Sequence, residues 1–170
     1  MRKVLQLLSV VVVGIAVALM LISPELVLIF GSPKYREAVY VIPPVAASVF
    51  FIFIYNILSM PQFYYEKTQF LMAASMAAAG ANVVLNFIFI RLFGYIAAGY
   101  TTLACYMLYS VGHYIVSKRI LVNEGIQENL MSPGFLVACS AFLIGASIIC
   151  NLIFPYLSLI HISEPTRLQL

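Results

Sequence analysis

Asn82 and Asn86 stand four residues apart in an otherwise apolar run, and chemistry is first to be sought there. Residues at that spacing share one helix face, so two carboxamides, each able to donate and accept, make a single polar strip. Such a strip either lines a hydrophilic path or hydrogen-bonds across a helix interface, because an unpaired polar group in hydrocarbon costs several kcal/mol. Ser48, Tyr55 and Ser59, with Asn56 beside them, form a second face, and Tyr106, Tyr109 and His113 a third. The third face reads as interfacial tyrosines with a histidine toward a helix end.

The missing residues narrow the chemistry. The chain has no aspartate, and apart from the terminal Glu164 its glutamates fall in expected loops or at helix ends, at Glu25, Glu37, Glu66, Glu124 and Glu128. Apart from the terminal His161, His113 is the only histidine. A Ser-His-acid triad, a carboxylate pair or a two-histidine zinc site therefore cannot be assembled, and no glycine loop suited to phosphate appears. We expect neither an enzyme nor a bound metal or cofactor. No intramembrane carboxylate offers the usual ion relay of a coupled transporter. Cys105, Cys139 and Cys150 lack Cys-x-x-Cys spacing and read as small buried apolar residues.

The elements that must carry these residues are apolar helices. A hydrocarbon core of roughly 30 Å takes about 20 helical residues. Five stretches meet that length: Val4 to Ile22, Val39 to Ser59, Phe70 to Ile90, Tyr95 to Val116 and Phe135 to Tyr156. Composition agrees, with 64% hydrophobic and 9% charged residues, against about 25% charged in soluble domains. The sequence predicts an all-α, polytopic transmembrane bundle of about five helices over residues 1–156. The first stretch follows Arg2 and Lys3 as a signal peptide would, but its apolar run is too long and Pro24-Glu25 is a poor cleavage site.

Cationic residues set the expected orientation. With the N-terminus cytoplasmic, Arg2, Lys3, Lys67, Lys118 and Arg119 lie inside, and Lys34, Arg36 and Arg91 outside. The net charge of +3 is then a topology signal, and no basic run with interleaved aromatics suggests a nucleic-acid partner. Ser32 to Glu37 is expected to separate the first two spans, and Pro43-Pro44 either kinks the second helix or sets its start. Pro61 to Gln69 reads as a loop carrying Tyr64, Tyr65, Glu66 and Lys67. Lys118 to Pro133, with Glu124, Gln127, Glu128 and Asn129, reads as the longest polar connection, either a solvated linker or a short interfacial helix. The small-residue runs Ala73 to Ala81 and Gly94 to Gly99 predict close helix packing.

Longer patterns carry a family resemblance. Ser23-Pro24-Glu25-Leu26 through Phe30-Gly31, Tyr35-Arg36-Glu37-Ala38, Ile42-Pro43-Pro44 and Phe63-Tyr64-Tyr65-Glu66-Lys67-Thr68 occur in that order. Asn82 through Leu85-Asn86 and then Phe93-Gly94-Tyr95-Ile96-Ala97-Ala98-Gly99-Tyr100-Thr101-Thr102-Leu103 follow. Together, over roughly Val4 to Ile120, they resemble the C-terminal half of bacterial oligosaccharide flippases, of the multidrug/oligosaccharidyl-lipid/polysaccharide exporter superfamily. The last span matches only in character.

The resemblance implies a partial lobe of a fold of about 12 or 14 helices whose two halves rock around a central site. It implies a multi-pass protein of the bacterial cytoplasmic (inner) membrane that carries polyprenyl-pyrophosphate-linked sugar repeats outward for surface polysaccharide. Membrane lipids, the missing N-terminal lobe and glycan polymerase machinery would be its partners. Asn82, Asn86, Lys67 and Arg91 become candidates for sugar or pyrophosphate contact, with Tyr64 and Tyr65 at the cytoplasmic rim. For both cations the alternative role is a helix-end topology anchor.

Two further expectations concern the ends. Residues 157–170, including Ser158 to Arg167, resemble a translated sequencing adapter and are set aside from functional reasoning, and Met1 is expected to be internal to a longer protein. Other readings are a drug exporter of the same superfamily, a small self-associating membrane scaffold, and a membrane acyltransferase using His113.

Overall fold

The computed structural model describes residues 2–31, 33–126 and 130–162, side chains excepted at 33–35 and 157–162. Its described elements are all helical: α1 (Arg2–Leu21), α2 (Ser23–Phe30), a 3-10 helix (Pro33–Tyr40), α3 (Ile42–Tyr64), α4 (Thr68–Phe93), α5 (Ala97–Asn123) and α6 (Pro133–Ile162). Among the described residues, four segments are long and apolar enough to cross a membrane: α1, Arg36–Tyr64 including α3, α4, and Pro133–Tyr156 of α6.

The expected fourth span becomes α5. It is long enough, at 27 residues, but is not among those four. Its sequence mixes Thr101, Tyr106, Tyr109, Ser110, His113 and Ser117 among apolar residues, so its mean hydropathy falls. The fold accommodates this by inward packing: Thr101, Ser110, His113 and Ser117 are all buried.

α3 is the central helix. Ala46, Ala47, Phe50, Phe51, Ile54, Ile57 and Leu58 on it are buried, and they join Ala16 and Met20 of α1, Leu103 of α5, and Leu143 and Phe154 of α6 in one core. α3 packs most extensively on α5, then on α1, then on α6. α4 lies at the edge against α5, with few contacts to α3 and no buried residue.

Local sequence explains the helix ends. Pro43 and Pro44 occupy the first turn of α3, where a missing N–H costs nothing, so they start the helix rather than kink it. Contrary to the expected Pro61–Gln69 loop, α3 runs through Pro61 to Tyr64 and α4 begins at Thr68. A proline forfeits one backbone bond, and helical backbone on both sides carries the chain across it. The turn itself is closed by Lys67 N–H on Gln62 O at 2.8 Å and Glu66 N–H on Phe63 O at 3.1 Å. That is a Schellman closure, and it forces Glu66 to a φ of 55°, where glycine is the usual occupant.

The end of α5 repeats the device with the expected residue. Ile126 N–H reaches Leu121 O at 2.8 Å and Gly125 N–H reaches Val122 O at 3.1 Å, with Gly125 at φ 77°. Helix therefore extends five residues past Lys118, and the polar connection is shorter than the expected Lys118–Pro133. Gln127, Glu128 and Asn129 lie outside the described residues. Between α1 and α3, α2 and the 3-10 helix replace a simple loop. At the other end of the chain α6 keeps helical backbone to Ile162, past residue 157, and the rest of the set-aside tail is outside the described residues.

Candidate functional site

The α3–α5 seam is built from serines at heptad spacing. Ser110 Oγ lies 2.9 Å from Phe51 O and 2.8 Å from Tyr106 O of its own helix, and Ser117 Oγ donates to Leu58 O. Both serines and both acceptors are seven residues apart and rise together, so α3 and α5 run parallel. Small hydroxyls let the backbones approach closely, as membrane helices require when lipid is as apolar as leucine. The seam is tight where Gly99 meets the start of α3: a Cβ there would stand 2.8 Å from Pro44 Cγ and 3.0 Å from Val41 O. The Gly94–Gly99 run thus divides its work, Gly94 capping α4 at φ 77° and Gly99 admitting α3.

Polar side chains gather on two strips. On the α4–α5 seam, Asn86 Nδ2 donates to Asn82 Oδ1 at 2.8 Å, and Thr101 Oγ1 donates to Asn86 Oδ1 at 2.6 Å. The carboxamides bond each other and the neighbouring helix, and both are half-buried. Nearer the α3–α4 turn, Ser75 of α4 and Tyr109 of α5 share a 2.5 Å hydroxyl contact. The residue pairs 86–101 and 75–109 run in opposite directions, so α4 and α5 are antiparallel.

The second strip is aromatic. Tyr55 of α3 stacks on Tyr106 with centroids 6.3 Å apart and lies 4.6 Å from Tyr109. His113 packs against both Tyr109, at 4.4 Å, and Tyr55, at 5.8 Å. The expected second and third polar faces therefore meet through Tyr55. Ser48 and Ser59 do not join them: each is buried and bonded to its own helix, at Val45 O and Asn56 O. Asn56 is exposed and bonds Ile52 O.

The remaining candidates sit apart. Tyr64 and Tyr65 form an edge-to-face pair at 4.9 Å beside the exposed Lys67 in the α3–α4 turn. Arg91, exposed in the last turn of α4, places its guanidinium 3.9 Å from the Phe87 ring centroid. Lys67 and Arg91 flank α4 at opposite ends, separated by ~36 Å at the helical rise of 1.5 Å per residue, so they cannot grip one phosphate group together. Their positions suit two helix-end anchors.

Sequence reasoning passed over Gln62, which it placed in a loop. Gln62 is fully buried, and its Nε2 lies 2.7 Å from His113 Nδ1 and 3.3 Å from Ser117 Oγ. Thr101 and Asn151 were also missed. Asn151 of α6 donates to Tyr40 O at 3.1 Å and contacts Tyr100 Oη at 2.5 Å. An Asn inside an apolar run was the available signal for Asn151. The three cysteines are free; Cys105 and Cys150 are buried as expected, whereas Cys139 is only half-buried. No described group of His, Cys or Glu is placed to hold a metal ion.

Among the described residues the fold is an all-α helical bundle with four membrane-length apolar helices, the build of a multi-pass membrane protein. No family model, curated protein or solved structure matches the chain.

Proposed function

We propose that this chain is part of a flippase that moves polyprenyl-pyrophosphate-linked oligosaccharide across the bacterial inner membrane, its N-terminus cytoplasmic. The observation that carries the reading is α4: apolar enough to span, with no buried residue, and bearing the Asn82–Asn86 strip that Thr101 ties to α5. A polar strip on a helix with open flanks fits a wall that further helices complete around a hydrophilic cavity. Such a cavity would offset the roughly 2–7 kcal/mol cost of burying each unpaired sugar hydroxyl. The family resemblance of the sequence supports the same assignment, and drug export by the same superfamily is its nearest alternative.

The open α4 face also favours a second reading, a scaffold that self-associates through Ala73–Ala81. At Gly80 an added Cβ meets nothing within 4 Å, which leaves room for a neighbouring helix.

Sequencing the native locus across codons 1 and 157 separates the two. The flippase reading expects a reading frame extended upstream by several spans, among glycosyltransferase genes. In vesicles, that protein should translocate a fluorescent polyprenyl-pyrophosphate oligosaccharide, with Asn82→Leu/Asn86→Leu slowing it about tenfold, roughly the effect of one lost hydrogen bond. A native start at Met1 with a stop near residue 157, and a stable oligomer of the short chain, would overturn it in favour of the scaffold.

A further inference from the structure

Two buried polar atoms of the α3–α5 seam have no hydrogen-bond partner: Gln62 Oε1 and His113 Nε2. They belong to side chains 0% and 1% exposed, and they flank a bond the same two residues make at 2.7 Å. Because a carboxamide nitrogen only donates, His113 Nδ1 must accept in that bond, and the neutral imidazole carries its proton on Nε2. The acceptor Oε1 is meanwhile idle beside the donor that is used.

We infer that Gln62 and His113, enclosed by Tyr55 and Tyr109, form a proton-binding site at the end of the α3–α5 seam. A proton from hydronium at the aqueous edge adds to the Nδ1 lone pair, one O–H bond breaking as the N–H bond forms and neutral water being left behind. The Nε2–H donor of Gln62 then faces a second donor, and that hydrogen bond breaks. A half-turn of the carboxamide about Cγ–Cδ replaces it with Nδ1–H donating to Oε1, a charge-assisted bond of roughly twice the neutral strength. The imidazolium finds further compensation in the two tyrosine rings, whose centroids stand 4.4 and 5.8 Å from that of the imidazole, within the ~6 Å reach of a cation–π contact.

The charged surroundings leave this exchange to the pair itself. α3 carries no ionisable side chain but Tyr55 and Tyr64, and α4 carries only Arg91, at its far end. On α5 the neighbours are Tyr106, Tyr109, Tyr114 and the exposed Lys118 and Arg119, while Glu66 and Lys67 are exposed in the turn beyond Gln62. Lys118 follows His113 by ~7.5 Å of helix, so the site lies near an aqueous edge that can deliver the proton.

Protonation also has somewhere to act. Gln62 O accepts the Lys67 N–H that closes the α3–α4 turn, and Gln62 Nε2 reaches Ser117 on the seam. Turning the carboxamide releases the Ser117 contact, so the proton alters the link between α3 and α5 beside the turn that leads into α4.

The chain's two histidines make the test direct. The full chain, labelled with 15N-histidine and carrying His161→Gln, is reconstituted in lipid nanodiscs and its nitrogen shifts followed from pH 8 to pH 4.5. The expected result is an Nε2–H tautomer at high pH and reversible conversion to the doubly protonated ring. Gln62→Met, which removes the acceptor, should lower proton affinity at least tenfold, and Gln62→Glu should raise it, with helix content by circular dichroism unchanged. An Nδ1–H tautomer in the His161→Gln protein, or a His113 that stays neutral to pH 4.5 in an intact bundle, would overturn the proposal without recourse to the Gln62 variants. An unchanged midpoint in folded Gln62→Met would also overturn it.

Discussion

Gly99→Ala tests the closeness of the α3–α5 seam, and Gly80→Ala supplies its control. An alanine Cβ at 99 would sit 2.8 Å from Pro44 Cγ and 3.0 Å from Val41 O. Comfortable carbon contacts are at about 3.5–4.0 Å, so the helices must part by about 1 Å or strain locally. A proline ring cannot swing away as the tip of a long side chain could. Overpacking of this kind costs about 1–3 kcal/mol, while exchanging a helical glycine for alanine returns about 1 kcal/mol of propensity. The net expectation is ~0–2 kcal/mol of destabilisation. At Gly80 an added Cβ meets nothing within 4 Å, so only the propensity gain of about 1 kcal/mol remains. Because propensity cancels between the variants, their difference of ~1–3 kcal/mol isolates the steric term. Reversible unfolding in mixed micelles by added SDS, followed by far-ultraviolet circular dichroism, measures both. Equal stabilities within about 0.5 kcal/mol, the usual limit of additivity, would refute the close contact.

Glu66→Gly should stabilise the chain by ~0.5–1 kcal/mol in the same titration, since a left-handed residue with a side chain costs about 1–2 kcal/mol and glycine returns about 0.4–1 to the unfolded state. A double-mutant cycle of Thr101→Val with Asn86→Leu should show coupling of about 0.6 kcal/mol, typical of interhelical hydrogen bonds in membranes, and zero coupling would remove Thr101 from the α4–α5 ladder. In the α4–α5 connection Tyr95 Oη donates to Glu37 Oε2 at 2.8 Å. That hydrogen bond, with smaller contributions from desolvation and the carboxylate charge, raises the Tyr95 pKa above its ordinary 10.0. With the folded value raised, the contribution of this contact is full below pH 10 and fades as pH climbs through the folded value. Phenolate absorbance, taken as the difference between the parent and Tyr95→Phe, should shift to lower pH in the Glu37→Gln background.

The sequence by itself determined the helical class, because apolar runs of membrane length leave backbone groups no partners except those of their own helix. It located α1 and α4, and the starts of α3 and α6, to within three residues, and it grouped Asn82 with Asn86 and Tyr106 with Tyr109 and His113, since spacings of three and four are properties of one helix. It misjudged where α3 ends because Pro61 reads as a breaker, whereas one lost backbone bond is tolerable in a helix packed on both sides of it. That misplacement hid Gln62 in a supposed loop.

Tertiary structure decided everything that depends on which faces meet. Periodicity could not say that Gln62 finds His113 across 51 residues, that Tyr55 joins the tyrosines of α5, or that Thr101 completes the asparagine ladder. Nor could it distinguish Gly99, pressed against Pro44, from Gly80, which faces open space. Spacing along a chain fixes the face on which a residue lies, but the partner of that face is chosen by the packing of α3 against α5, α1 and α6. α5, expected from the sequence as the fourth span, is less apolar than the other four, and the same serines, threonine and histidine that lower its hydropathy are the groups that hold α5 to its neighbours.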